Sequence, residues 1–117
     1  MTAGIKGSDR PWIKNYKLGP YQLKKTLEPY PRVPVHQFLD DSASAYPTQV
    51  AVEYLGRRIK YEDLRNYVNS LSRALAQLGI VKGDRVATVL PNCPQFIITD
   101  FAVSKAGATL VPCSTLH

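Results

Sequence analysis

From Gln49 to Val111 the sequence alternates apolar strand patterns with helical ones across short connections, and few folds accept that order. Gln49 to Leu55 places Val50, Val52 and Tyr54 on one side and Ala51, Glu53 and Leu55 on the other, the period of a strand. Gly56 is placed to turn this strand back into Arg57 to Lys60, which predicts a hairpin. In Tyr61 to Leu78 the residues Leu64, Tyr67, Val68, Leu71, Ala74, Leu75 and Leu78 follow the i, i+3, i+4 rule of an amphipathic helix. Glu62 and Asp63 fall where carboxylates oppose the positive end of the helix dipole, and Gly79 can take the left-handed conformation that ends the helix. After a turn at Lys82-Gly83-Asp84, Arg85 to Leu90 is a compact apolar strand of the kind buried on both faces of a parallel sheet. Pro94 suits the first position of a second helix, whose apolar residues Phe96, Ile97, Phe101 and Ala102 run towards Gly107. Thr109 to Val111 reads as a further strand. The pattern predicts an α/β fold: an incomplete, mainly parallel sheet with flanking helices and right-handed crossovers.

Upstream the character differs. Prolines at 11, 20, 29, 31 and 34 remove backbone donors and fix φ, so residues 1–34 are expected to form an extended arm. Its apolar members, among them Trp12, Ile13, Tyr16, Leu18, Tyr21 and Leu23, are too numerous for a purely disordered tail and imply a larger body to lie against. A short helix follows, with Val35, Phe38, Leu39 and Ser42 at helical spacing, and Tyr46-Pro47 ends it because the residue before proline disfavours the α region. The expected organisation is a basic arm over 1–34 and a folded body over 35–117.

Charge sharpens the division. The net charge of +6 is concentrated in residues 1–34, where seven bases (Lys6, Arg10, Lys14, Lys17, Lys24, Lys25, Arg32) face Asp9 and Glu28. The remainder holds eight bases against seven acids. A basic arm of this kind is attracted to anionic surfaces, so peripheral membrane contact through it is one expectation. Nucleic acid is not, because no RNA-binding or helix-turn-helix signature accompanies the charge. With 44% hydrophobic and 21% charged residues the chain has the composition of a soluble globular protein, and no run approaches the roughly 20 apolar residues of a membrane span. The first residues lack an apolar stretch of signal-peptide length, which predicts a cytoplasmic location. Cys93 and Cys113 sit in no metal or redox spacing and are expected to be reduced packing residues.

Candidate chemistry is sparse. Gly79 and Gly83 match neither the G-x-x-x-x-G-K-[ST] nor the G-x-G-x-x-G pattern, so a helix cap and a turn are the expectation. Asp84 is expected to accept local backbone hydrogen bonds, and Gly107 to allow close packing or a left-handed turn. His36 and His117 have no sequence-marked partner, and Ser42, Ser44, Ser70, Ser72 and Ser114 lack the turn of a nucleophilic serine. Asp40-Asp41 and Glu62-Asp63 are adjacent pairs that diverge by about 100° on a helix and make no acid/base dyad. No catalytic, cofactor-binding or metal-binding residue is assigned.

Ile59-Lys60-Tyr61-Glu62-Asp63-Leu64, then Leu78-Gly79 with Lys82-Gly83-Asp84-Arg85-Val86, then Leu90-Pro91-Asn92-Cys93-Pro94-Gln95-Phe96, and finally Lys105-Ala106-Gly107-Ala108 with Val111-Pro112, occur in one order. In spacing and residue type they resemble the amino-terminal stretch of the AMP-binding (adenylate-forming) acyl-CoA synthetase family. The resemblance covers residues 35 to 117, and the leader from Pro11-Trp12 to Tyr30-Pro31 looks like that of long-chain fatty acyl-CoA ligases. Two departures stand out: Lys60 replaces a common threonine, weakening the helix cap, and Cys113 to His117 replaces a sequence that commonly contains asparagine. The resemblance implies a complete enzyme that joins ATP and a fatty acid into an acyl-adenylate and passes the acyl group to CoA, with Mg²⁺ as cofactor. It also implies that the phosphate loop, the magnesium and adenine motifs and the catalytic lysine follow the matched stretch, so this segment, whose partner would be the rest of the ligase chain, is expected to be inactive alone. The alternative is a non-enzymatic module that binds a full-length ligase or an anionic membrane surface.

Overall fold

A computed structural model describes residues 28–115. The chain divides into two units, residues 1–32 and 33–117. Of the first, Glu28 to Arg32 are described and carry no helix or strand; the expectations for residues 1–27, and for His117, lie outside the described residues.

The second unit runs α1 (Val35–Ala45), β1 (Val50–Tyr54), β2 (Arg57–Lys60), α2 (Tyr61–Gln77), β3 (Arg85–Val89), α3 (Pro94–Lys105) and β4 (Thr109–Cys113). The strands form an antiparallel β1–β2 hairpin and a parallel β3–β4 pair joined through α3, an α/β arrangement. No helix among the described residues is long and apolar enough to cross a membrane.

The core sits among the three helices. Leu39 of α1, Leu64 and Val68 of α2 and Ala102 of α3 are buried together, with Leu71, Leu75, Ile98 and Phe101 packed around them. On α2 the inward stripe is Tyr61, Leu64, Val68, Leu71 and Leu75, whereas Tyr67, Ala74 and Leu78, expected on the same face, are exposed. The stripe is narrower than the sequence suggested because α1 and α3 cover only part of the helix. On α1 the expected face is corrected further. Leu39 and Ala43 point inward, while Val35 and Phe38 are exposed, since burial there follows contact with α2 and α3 rather than local hydrophobicity.

The hairpin turns at Leu55-Gly56, both at positive φ (47° and 77°), the geometry of a type I′ turn. A bulge between Val50 and Val52 breaks the strict alternation read from the sequence. Consecutive residues Ala51 and Val52 therefore both pack on the core.

Helix α2 ends as its glycine implied. Gly79 N–H donates to Ala76 O (3.0 Å) and Ile80 N–H to Leu75 O (3.1 Å), a Schellman closure around φ 89°. Helix α3 repeats it: Gly107 N–H bonds Ser104 O and Ala108 N–H bonds Val103 O, each at 3.1 Å. At the other end of α2, Lys60 supplies no side-chain cap, leaving Glu62 and Asp63 to favour the helix start through the dipole.

The strand β3 is not buried on both faces. Thr88 is buried and Val86 half-buried beneath α3, but Arg85, Ala87 and Val89 face outward and are exposed. The register pairs Ala87 with Val111 and Val89 with Cys113, so Cys113 also lies on the bare face rather than in a core. Among the described residues only one layer of helix covers this pair, which is why a sequence suited to two-sided burial is half exposed.

Candidate functional site

Three elements meet around a cleft of about 700 Å³: the hairpin brings Tyr54, Leu55, Arg57, Arg58 and Ile59, α2 brings Tyr67, and the first turns of α3 bring Pro94, Gln95 and Ile98. The type I′ turn sets Arg57 directly after the bend, and Pro94 starts α3 at its first position, where its missing N–H leaves no bond unmade. Arg58 donates to Glu53, its cross-strand neighbour, at 3.2 Å, in an exposed pair. The cleft offers guanidinium groups and aromatic walls. It can bind, and apart from the two tyrosine hydroxyls its lining residues include no nucleophile or base.

The polar groups singled out in the sequence go elsewhere. His36 Nδ1 lies 3.3 Å from Ser104 Oγ, across the α1–α3 contact. One turn along α1, both Asp40 oxygens accept from Lys105 Nζ at 2.8 Å. A histidine beside a serine resembles a nucleophile–base pair, but the nearby carboxylate that could orient the histidine is held by Lys105. Ser104 also lies inside a helix whose amides are already bonded, so it has no oxyanion donors around it. The two contacts fasten α1 to α3, while Asp41 accepts from Gln37 Nε2 at 2.8 Å on α1 itself.

Ser42 and Ser44 hydroxyls donate back to the carbonyls of Phe38 and Asp40 within α1. Gly83, at φ 97°, sits in the turn closed by Asp84 N–H to Val81 O (3.1 Å), and the Asp84 carboxylate accepts from Val81 N–H at 2.8 Å. That is the local backbone role expected of Asp84. Of the two readings made of Gly107 the left-handed turn holds, at φ 78°, whereas a Cβ there would meet only ordinary contacts with Lys82, the nearest at 3.5 Å; its carbonyl accepts from Gly83 N–H at 3.4 Å. Cys93 is half-buried at the start of α3, and no group of three or more His, Cys, Asp or Glu suited to a metal ion occurs among the described residues.

Sequence reasoning missed the cleft and the α1–α3 polar contacts. The contacts join positions 65 and 68 residues apart, which no local pattern pairs. The cleft had one available signal, tyrosine and two arginines flanking a two-residue turn.

Residues 39–117 match the family model described as AMP-binding enzyme. A long-chain-fatty-acid–CoA ligase of Bacillus subtilis (strain 168) is 34% identical over 110 residues, covering 94% of this chain and 19% of the ligase. A crotonobetaine/carnitine–CoA ligase of Salmonella paratyphi B is 39% identical over 83 residues, covering 67% of this chain and 16% of the relative. Among solved structures, the N-terminal subdomain of Klebsiella oxytoca NpsA superposes with a TM-score of 0.69 at 28% identity, over 72% of this chain and 22% of the subdomain. This chain thus spans less than a fifth of the length of either ligase. The helical core, the parallel β3–β4 pair and the glycine-ended helices are therefore those of a known architecture, and the chain belongs to the AMP-binding, adenylate-forming enzyme family.

Proposed function

We propose that residues 35–117 are a scaffold layer, the first part of the amino-terminal domain of a long-chain fatty acyl-CoA ligase, with residues 1–34 as its basic leader. The observation that carries the scaffold reading is the β3–β4 pair, covered by helix on one face and presenting Ala87, Val89, Val111 and Cys113 on the other. A parallel pair with one apolar face open is a layer waiting for another. The fatty-acid refinement is supported by the reach of the similarity. The match to the Bacillus subtilis ligase extends over 94% of this chain, beyond the folded body and into the leader.

In this reading the complete enzyme activates a fatty acid with ATP and Mg²⁺ and transfers it to CoA. The reading leaves the seating of those groups to the rest of the ligase chain. Gly79 closes a helix, Gly83 makes a turn and Asp84 is engaged by Val81 N–H, so no step of the reaction is derived from them. What they contribute is position, holding the strands on which a larger sheet is built.

Three measurements test this. The intact mass of the endogenous protein, captured with an antibody against this region, is expected to be several-fold above 13.0 kDa; a mass of 13.0 kDa would overturn the scaffold reading. The purified 117-residue chain, supplied with ATP, Mg²⁺, CoA and a long-chain fatty acid, is expected to form no thioester, and measurable turnover would show that the chemistry lies within it. With the endogenous protein, a preference for carnitine-like or aryl acids over fatty acids would remove the long-chain refinement and leave the family untouched.

A further inference from the structure

We propose that the sheet begun by β3 and β4 is continued at the edge of β3, by a strand from the rest of the ligase chain, and that β4 is its outer strand. That assignment rests on the scaffold reading and adds to it the side on which the next strand pairs.

The two edges are told apart by where their backbone groups point. Successive residues of a strand turn their N–H and C=O groups to opposite sides, so in a parallel pair alternate residues of each strand face the partner. Thr109 N–H donates to Asp84 O at 2.8 Å, in the register that pairs Arg85 with Thr109 and Ala87 with Val111. Thr109, Val111 and Cys113 therefore turn their backbone groups to β3, and Val86 and Thr88 turn theirs to β4. The groups that face outward are those of Arg85, Ala87 and Val89 on one edge and of Leu110 and Pro112 on the other.

On β4 the outward row is broken. Pro112 has no N–H, so a neighbour on that side meets one donor, at Leu110, along the five residues of the strand. Proline inside a sheet is confined to edge strands, first residues and bulges. Pro112 is neither the first residue of β4 nor at a bulge, since the register with β3 runs without a shift from Thr109 to Cys113. The edge position remains.

On β3 the outward row is complete. Arg85, Ala87 and Val89 offer three donors and three acceptors, and the strand contains neither proline nor glycine. Once a larger body closes over the sheet, each of those amides needs a partner or costs about as much as a lost hydrogen bond. The Bacillus subtilis ligase has most of its chain outside the stretch matched here, ample to supply a strand.

The test is amide hydrogen exchange at single-residue resolution, on the endogenous protein and on the purified 117-residue chain. Val86 and Thr88, whose N–H groups already face β4, set the baseline for any general change in stability. Relative to them, Ala87 and Val89 are expected to exchange at least about a hundredfold more slowly in the endogenous protein than in the purified chain, and Leu110 to shift by less than about threefold. An intact mass of 13.0 kDa would remove the scaffold reading and this assignment together. A larger mass with Ala87 and Val89 unslowed, or with Leu110 slowed as much as they are, would overturn the assignment and leave the scaffold reading standing.

Discussion

The three-helix core and the parallel strand pair both carry apolar residues, yet they differ in how far those residues are covered. Leu39, Leu64, Val68 and Ala102 are buried from all sides by α1, α2, α3 and the hairpin. On β3 only alternate residues reach cover, and Val89 remains 64% exposed. Hydrophobic stabilisation scales with area removed from water, so the helices hold the second unit together while the strand pair contributes at part of its capacity. The two regions also differ in polar satisfaction. The α1–α3 contact contains a fully engaged ion pair, whereas Thr88 Oγ1 is buried beneath α3 with no hydrogen-bond partner.

Four substitutions break or sharpen this contrast, each read by urea denaturation of the full chain. Leu64→Ala removes the largest kind of core contact and is expected to lower stability by about 2–5 kcal/mol. A cost below about 1 kcal/mol would mean that the helical cluster is not the principal core. Asp40→Asn takes the carboxylate from Lys105, in a pair whose side chains are each 26% exposed. Partial exposure tempers the loss, expected at about 1–2 kcal/mol, well above that of Glu53→Gln in the exposed hairpin pair. Thr88→Val keeps the shape and deletes the unpartnered hydroxyl, so stability is expected to rise by about 1 kcal/mol; a fall would show that the hydroxyl has a partner in solution. Val89→Thr, on the bare face, is expected to stay within about 0.5 kcal/mol. A large loss there would show that something covers that face.

Much of this architecture was legible beforehand, for local reasons. Gly79 and Gly107 end their helices because a residue without Cβ takes left-handed φ freely, and Pro94 starts α3 because it has no N–H to leave unbonded. Asp84 and Gly83 form the turn their types prescribe. Misreadings arose where the answer depended on neighbours distant in sequence. Val35 and Phe38 are apolar but face away from α2 and α3, and Ala51 joins Val52 on the core through a bulge that alternation does not announce. The candidate cleft was illegible for the same reason, since Tyr67 and Gln95 come to the hairpin from separate helices.

By itself the sequence determined the order of elements, the helix ends and the turns, because each depends on preferences of a few neighbouring residues, and the family, because its short motifs recur in a fixed order along the chain. Tertiary structure alone decided which apolar faces are covered, that Asp40 meets Lys105 and His36 meets Ser104, and that two arginines share a cleft with two tyrosines. Burial and pairing are properties of surfaces brought together by packing, and no local pattern encodes which surface will arrive.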